Sequence, residues 1–143
     1  MWLLSLCACA SDLGRTLERI ERQVASAPDS AYTALCAIDK SRLSDKGDKA
    51  LYNLLMSEAM YKLYMEEDND SIITLVCQYY KTRPDKQRFM RALFMKAIIE
   101  YYGHEYPQSL ITAREAEAVA LSLDNYEYLA KIYEHMSDLY NIT

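Results

Sequence analysis

Apolar residues recur every three or four positions along most of the chain, which is the spacing of one buried face on an α-helix. Short polar or proline-containing breaks interrupt this pattern. It predicts about seven helices, joined by connections so short that neighbouring helices must pack antiparallel. The predicted bounds are Asp12 to Ala25, Pro28 to Asp39, Asp48 to Met65, Ser71 to Lys81, Asp85 to Tyr102, Pro107 to Leu123, and Tyr126 to near the C-terminus.

An eight-residue phrase repeats within this pattern. The segment from Asp29 to Cys36 returns as Asp70 to Cys77, and a shorter third copy begins at Ser109. A period of about 40 residues is typical of repeat proteins, in which each helix pair buries its apolar face against the next pair. The expected fold is therefore all-α, an α-solenoid of antiparallel helix pairs.

Composition favours helices and disfavours several classes of function. The 143 residues are 51% apolar and include three glycines and three prolines, too few for the turns of a β or α/β fold. The net charge of −5 disfavours a nucleic-acid partner, because duplex binding depends on basic residues that neutralise phosphates. No run approaches about 18 consecutive apolar residues, so no membrane-spanning helix is expected.

The N-terminus has a different character. Residues 1–9 form a short apolar run that ends in small side chains, which is typical of a processing signal. Within it, Leu6-Cys7-Ala8-Cys9 resembles the bacterial lipobox, which implies cleavage before Cys9 and lipidation of that residue. The protein would then be anchored to a membrane surface that faces the periplasm or the cell exterior. The alternative is an apolar N-terminus whose two cysteines have no role, and with it a cytoplasmic location.

Small and large core residues alternate between Leu93 and Ala120 in the order expected for a helical hairpin. They are Phe94, Ala97, Ile98 and Tyr101 in the first helix, Gly103 and Tyr106 in the turn, and Ser109, Ala113 and Ala116 in the second helix. This stretch resembles a tetratricopeptide repeat, in which small side chains let two helices approach closely. The resemblance covers residues 12–143, about three and a half repeats, although the longer spacing of the copies also suits armadillo or HEAT units. Together with residues 1–9, the chain resembles the N-terminal part of bacterial tetratricopeptide lipoproteins.

The resemblance implies a function in protein binding. In tetratricopeptide arrays the first helices line an inner groove, and we expect this groove to bind a peptide or protein partner without a cofactor, metal or small-molecule substrate. The chain would then be an interaction scaffold or adaptor and not an enzyme. One alternative is a structural or dimerising sensor segment of a larger membrane-bound regulator, and an enzyme is a second alternative. The resemblance places in the groove Asn53, Ser57, Met60, Met95, Ile99, Tyr102, Glu134 and Asp138.

Residues with reactive side chains do not form a recognisable site. His104 and His135 have no second histidine or cysteine at ligand spacing, so we expect both at the surface or in turns. Cys36 and Cys77 occupy equivalent places in neighbouring repeats. Stacked helices stand about 8–10 Å apart, beyond the Cα limit of about 7 Å for a disulfide, so we expect buried free thiols. The acidic run from Glu66 to Asp70 lacks the central glycine of an EF-hand loop, which favours a solvated loop.

Three surface features bear on recognition. Tyrosine supplies 13 of 16 aromatic residues, and these rings either contact a partner or pack in the core with the hydroxyl at the surface. Six basic residues surround the connection between the fourth and fifth helices, where we expect a solvated rim that could steer an acidic peptide. The last helix has a polar face that could cap the solenoid, unless the chain is part of a longer protein. The basic residues are Lys81, Arg83, Lys86, Arg88, Arg91 and Lys96, and the polar face consists of Glu127, Lys131, Glu134 and Asp138.

Overall fold

A computed structural model describes residues 11–142. This part of the chain consists of seven α-helices and one 3-10 turn (Lys40–Arg42), without a β-strand, which confirms the all-α prediction. None of its helices is both long and apolar enough to cross a membrane. The lipobox-like segment, including Cys9, lies outside the described residues. The helices are α1 (Asp12–Val24), α2 (Pro28–Cys36), α3 (Lys46–Lys62), α4 (Ser71–Lys81), α5 (Lys86–Tyr102), α6 (Tyr106–Ser122) and α7 (Tyr126–Ile142).

Two helix bounds beside the connection from α2 to α3 differ from the prediction. Helix α2 ends at Cys36 instead of Asp39, because the Asp39 carboxylate accepts a hydrogen bond from the Ser41 amide (3.0 Å) and begins the 3-10 turn. Helix α3 begins at Lys46 instead of Asp48, because the Asp45 carboxylate accepts a hydrogen bond from the Asp48 amide (3.0 Å). Side-chain capping therefore sets these bounds, and the apolar pattern does not.

The N-terminal caps of three helices repeat along the chain. Helices α3, α5 and α7 each contain 17 residues and begin at evenly spaced positions, 46, 86 and 126. The residue before each helix is Asp45, Asp85 or Asn125, and its side-chain oxygen accepts a hydrogen bond of 3.0 Å from the amide three positions later. Each cap satisfies one amide that has no partner within its helix. The repeat period is therefore a property of these helices and their caps.

The C-terminal ends of α3, α5 and α6 also share one geometry. Shortly beyond each helix lies a residue in the left-handed conformation: Tyr64 (φ 56°), His104 (φ 63°) or Asp124 (φ 50°). The following amide donates a hydrogen bond to the carbonyl five positions earlier, which satisfies a free carbonyl of the helix end. Gly103 itself has an ordinary φ of −74°. A Cβ atom at Gly103 would lie 2.9 Å from the carbonyl oxygen of Asp68, so the close approach of the α3–α4 linker requires glycine there.

The helices form two layers. Helices α1, α3, α5 and α7 contact one another in succession, and we call them the first layer. Helices α2, α4 and α6 form the second layer, and each contacts the two first-layer helices that flank it in sequence. The side chains between the layers make two buried clusters, one shared by α1, α2 and α3 and the other running from α3 to α7. The first layer is therefore continuous from α1 to α7.

Helix α6 packs closely on α5 through small side chains. Ser109, Ala113, Ala116 and Ala120 lie on one face of α6 and are fully buried. Two helices approach closely only where one of them presents little bulk, which explains why this face lacks large residues. The small positions inferred from the sequence at Ser109, Ala113 and Ala116 therefore lie in the core between α5 and its neighbours.

Candidate functional site

The first-layer helices enclose a cavity of about 580 Å³, which we call the inner groove. Its volume lies within the range of about 300–1,000 Å³ that is usual for binding pockets. All four first-layer helices contribute, so the groove depends on the whole layer and not on one helix pair. The lining includes Glu21 of α1 and Ala25, which directly follows that helix. The other helices contribute Glu58, Tyr61 and Lys62 of α3, Arg91, Phe94 and Met95 of α5, and Glu127, Tyr128, Lys131 and Glu134 of α7.

Four charged side chains form a charge cluster: Glu21, Glu58 and Arg91, which line the groove, and Arg88, which pairs with Glu21 but does not line the groove. Arg91 donates from Nε and Nη2 to the two oxygens of Glu58 (2.7 and 2.6 Å) and from Nη1 to Glu21 (2.5 Å). Arg88 donates from Nε and Nη2 to the oxygens of Glu21 (3.0 and 2.7 Å). Both arginines lie on α5, whereas the glutamates lie on α1 and α3. The cluster therefore joins three helices through paired, charge-assisted hydrogen bonds.

Burial and hydrogen bonding both shift the pKa values in this cluster. Burial by itself raises the pKa of Glu21, but hydrogen bonds from Arg88 and Arg91 outweigh it and hold the pKa below the ordinary 4.5. The hydrogen bond to Glu21 raises the pKa of Arg88. Burial opposes the charge on Arg91, yet hydrogen bonds and the charges of Glu58 and Glu21 raise its pKa. Glu21 and both arginines are therefore held in their charged forms.

The prediction of a solvated basic rim is wrong for Arg88, Arg91 and Lys96. The two arginines belong to the charge cluster. The Lys96 ammonium pairs with Glu100 and lies 3.2 Å from a carboxylate oxygen of Asp70, and its side chain is only 15% exposed. Carboxylates thus neutralise half of the basic residues that the sequence suggested as a steering surface for an acidic peptide.

The groove continues between α5 and α7 into a smaller cavity of about 180 Å³, which we call the aromatic pocket. The Phe94 ring makes edge-to-face contacts with Tyr61, Tyr128 and His135, at centroid distances of 6.2, 5.8 and 6.4 Å. Burial is the main reason that the pKa of Tyr61 is raised, and nearby negative charges add to it. The lining residues are Tyr61, Phe94, Ile98, Tyr101, Tyr102, Lys131, Glu134, His135 and Asp138.

His135 is a core residue, so the prediction of a surface or turn position is wrong for it. Its side chain is buried, and its Nε2 lies 2.9 Å from the Ser109 hydroxyl. That hydroxyl donates its own proton to the Ala97 carbonyl (2.6 Å), so the imidazole donates from Nε2. Burial lowers the pKa of His135 from 6.5, against the opposing charge of Asp138. His104, by contrast, lies exposed in the turn after α5, as expected.

The eight residues predicted for the groove lie in three different environments. Glu134 lines both cavities, Met95 lines the inner groove, and Tyr102 and Asp138 line the aromatic pocket. Asn53 and Met60 are half-buried on α3 and line neither cavity. Ser57, Met95 and Ile99 are buried, with at most 6% of their surface exposed. Contact of these eight residues with a partner stays a prediction, and Tyr102, Glu134 and Asp138 are the members with exposed surface in a cavity.

The α3–α4 linker, residues 63–70, explains why Ser57, Met95 and Ile99 are buried. The Ser57 hydroxyl donates a hydrogen bond to a carboxylate oxygen of Glu67 (3.1 Å). Met65 and Glu67 of the linker border a small gap together with Met95 and Ile99. Burial raises the pKa of Glu67, which places its carboxyl against α3 and α5 and not in open solvent. The acidic run therefore covers part of the first layer, so the expectation of a fully solvated loop does not hold for Glu67.

The groove-facing row of α3 lies one residue away from the predicted row. Glu58 and Tyr61 line the groove, whereas Ser57 and Met60 were expected there. One residue corresponds to a rotation of about 100° around a helix axis. Sequence reasoning therefore missed Tyr61, and it also missed Arg91. The sequence did contain a usable signal on α7, because the predicted Glu134 lies on the same face as the groove residues Tyr128 and Lys131. The polar face of α7 that was expected to cap the solenoid lines the two cavities instead.

The two cysteines of the described region are free thiols in different environments. Cys36 is exposed at the end of α2, whereas Cys77 is buried in the middle of α4. Burial raises the pKa of Cys77 to about 12, so its thiol is inert at neutral pH. The equivalent places of the two cysteines in the repeated phrase therefore differ in burial, and the predicted burial of Cys36 is wrong.

A second cavity, of about 520 Å³, lies near the N-terminal ends of α1, α3 and α5. Several of its polar groups already have partners. The Ser11 hydroxyl donates to Asp48 (2.7 Å) and accepts from the Gly14 amide (2.8 Å). The Arg83 guanidinium lies 3.5 Å from the centre of the Tyr79 ring and donates to the Tyr79 carbonyl. The inner groove is therefore the stronger candidate for recognition.

Between residues 11 and 142, no three His, Cys, Asp or Glu side chains come together in a way that could hold a metal ion. Searches of protein-family models, of curated proteins and of solved structures found no significant match to this chain.

Proposed function

We propose that this chain is a protein-interaction scaffold whose inner groove binds an extended or helical segment of a partner protein. In this proposal the pairs α1–α2, α3–α4 and α5–α6 stack as antiparallel hairpins of a tetratricopeptide-like α-solenoid, and α7 begins a further unit. The succession of contacts along the first layer and the even spacing of the capped helices support this arrangement. The lipobox-like segment ending in Cys9 would anchor the scaffold to a membrane surface that faces away from the cytoplasm.

The observation that carries the proposal is the composition of the groove. Tyr61 and Tyr128 present partly exposed rings, and Glu134 adds an exposed carboxylate beside them. Tyrosine gives a large contact area at low cost in conformational entropy and retains a polar tip, which suits protein interfaces. Large apolar surfaces that remain exposed in a cavity usually mark binding sites. A peptide segment would bury these rings while leaving the carboxylate available for a charged contact.

The rigidity of the groove supports the same function. Arg91, in the groove lining, joins α1, α3 and α5, and Arg88 adds a second link between α5 and α1. The ring of Phe94 makes three edge-to-face contacts. A surface that is already ordered loses little conformational freedom when a ligand binds, so more of the contact energy appears as affinity. We therefore expect the first layer to bind without rearrangement.

A peptide selection with a groove-blocking variant tests this proposal. The full chain is used to select binders from a random peptide library displayed on phage, and the affinity of the selected peptides is then measured. Ala25→Trp introduces a large ring at an exposed position of the groove lining and should weaken binding at least about tenfold. Ala118→Trp adds the same ring at an exposed position of α6 and should leave binding unchanged. Equal effects of the two variants, or no selected peptide, would contradict groove binding.

A second candidate function, as a dimerising segment, is favoured by the outer surface of α7. Tyr126 and Tyr133 are 74% and 46% exposed. The residues of α5 that lie one repeat period before Ala130 and Tyr133 are Met90 and Leu93, which are fully or nearly fully buried in the core that α5 shares with α6. Ala130 and Tyr133 of α7 are thus exposed, whereas the equivalent residues of α5 are buried against α6. A second copy of α7 in antiparallel orientation could place each Tyr133 over the other copy's Ala130, which would pair large with small side chains.

Sedimentation velocity over a range of concentrations tests this candidate. A dimer that dissociates when Ala130→Arg introduces a charge into the row would support it, and Ala118→Arg on α6 is the matched control. A monomer at every concentration, or a dimer that Ala130→Arg leaves intact, would contradict it. Neither substitution touches the inner groove, so peptide binding and dimerisation are tested independently.

A further inference from the structure

We infer that the partner segment carries an arginine or lysine side chain whose charged group enters the aromatic pocket. This inference rests on the proposed groove function and adds the chemistry of the ligand. Three features of the pocket support it: the rings in its walls, the carboxylates at its rim, and its size.

The walls of the pocket are made of rings. Tyr101 makes an edge-to-face contact with Tyr102 at 5.8 Å and with His135 at 5.5 Å, and Tyr61 makes one with Phe94 at 6.2 Å. Aromatic faces attract cations electrostatically, most strongly where water is partly excluded. The chain already uses this interaction beside the pocket, where the Lys131 ammonium lies 4.6 Å from the centre of the Tyr128 ring.

The charge at the rim favours a cation. Glu134 and Asp138 are exposed one helical turn apart on α7, and neither takes part in an ion pair among residues 11–142. The positive groups nearby are already occupied, since Arg91 is bound by two glutamates and Lys131 pairs with Glu127 at 2.7 Å. The remaining basic residue of the groove, Lys62, does not line the pocket.

The buried histidine does not change this balance. Burial favours the neutral form of His135, so the imidazole adds no positive charge to the pocket near neutral pH. A negatively charged residue of a partner would therefore meet the carboxylates of Glu134 and Asp138, while Lys131, the only lysine or arginine among the described residues of the pocket lining, is already paired with Glu127. An acidic peptide, which the sequence left open as a ligand, is disfavoured in this part of the groove.

The size of the pocket limits the ligand to one side chain. Its volume of about 180 Å³ is below the range of about 300–1,000 Å³ that is usual for small-molecule sites. The pocket opens into the inner groove, with which it shares Tyr61, Phe94, Lys131 and Glu134. A segment lying in the groove could therefore place a single long basic side chain in the pocket while its apolar residues contact Tyr128 and the groove floor.

The test compares the amino-acid composition and the affinity of peptides selected on the full chain. Peptides selected from the phage library should be enriched in arginine and lysine relative to the starting library. Replacing the basic residue of a selected peptide with methionine, which keeps much of the length but loses the charge, should weaken binding about tenfold. The double variant Glu134→Gln, Asp138→Asn should produce a similar loss for the basic peptide and little change for its methionine form.

A matched control separates the local effect from a change in net charge. Asp29→Asn with Glu105→Gln removes the same charge from exposed positions outside the groove and should leave the affinity unchanged. Selected peptides without a basic bias, which still lose affinity with Ala25→Trp, would overturn the inference and leave groove binding intact. Failure to select any peptide would overturn both. Equal losses from the two double variants would also overturn the inference, because they would indicate attraction by net charge alone.

Discussion

Substitution of Arg91 by methionine tests whether the charge cluster holds the first layer together. The substitution keeps a long side chain but removes three hydrogen bonds, two to Glu58 and one to Glu21. Glu58 is only 5% exposed, so its carboxylate would remain buried without a charged donor. Removing one partner of a buried ion pair costs about 3–5 kcal/mol, because the remaining charge is uncompensated.

This cost is large relative to the stability of a domain of this size. Typical unfolding free energies are about 5–15 kcal/mol. A loss of about 3–5 kcal/mol corresponds to a fall in Tm of roughly 6–20 °C for a domain of about 150 residues. The double variant Arg91→Met, Glu58→Met replaces the pair with apolar side chains. It should recover much of the lost unfolding free energy, because no unpaired carboxylate then remains at position 58.

Chemical denaturation followed by circular dichroism measures these differences. Arg15→Met is the matched control, because Arg15 and Asp12 form a pair at 3.5 Å whose side chains are 66% and 85% exposed. Exposed pairs contribute less than about 1 kcal/mol. A cost for Arg91→Met as small as that of Arg15→Met would refute the assignment of the cluster as the link between α1, α3 and α5.

The same cluster predicts a dependence on acid. The pKa of Glu21 is lower in the folded protein than the ordinary 4.5, because hydrogen bonds from Arg88 and Arg91 outweigh the effect of burial. Its contribution to stability is therefore complete above about pH 4.5 and is lost as the pH falls through the folded-state pKa. The loss below pH 4.5 should be smaller in Arg91→Met.

Three further predictions concern other parts of the chain. Burial lowers the pKa of His135, so the unfolding free energy should fall as the pH drops below about 6.5, and this slope should disappear in His135→Met; an unchanged slope would contradict the buried assignment. In a chain lacking Cys7 and Cys9, a maleimide should label Cys36 rapidly and Cys77 only on unfolding; mass spectrometry of rapid double labelling would show that α4 is misplaced. In a Gram-negative host, the mass of the membrane-bound protein should match cleavage and acylation at Cys9, with Cys9→Ser unprocessed and Cys7→Ser normal; a full-length, unmodified chain would end the lipoprotein proposal.

The apolar pattern was sufficient to predict the helices because their buried faces are made of local repeats. Leu54 and Leu55 of α3, for example, are fully buried, and their spacing from neighbouring apolar residues predicted a helix. The capping residues were harder to predict, because Asp and Asn are also common in loops. The recurring caps Asp45, Asp85 and Asn125 nevertheless give a repeat with constant spacing, which the repeated eight-residue phrase did not.

The position of the groove depended on information that a local pattern does not contain. Arg91 pairs with residues 33 and 70 positions away, so its sequence neighbours suggested an exposed basic rim. The α3–α4 linker covers Ser57, and no local signal showed where that linker lies. Alignment of α7 with α5 by their equivalent caps would have identified His135, which matches the buried Met95 and occupies a core position of α7.

Site-specific photo-cross-linking with a selected peptide tests groove recognition most directly. A photoreactive phenylalanine derivative is placed either at position 131, where Lys131 lines the groove, or at position 75, where Leu75 is 64% exposed on α4. Binding along the first layer predicts cross-links from position 131 and none from position 75. Cross-links that form mainly from position 75 would contradict it.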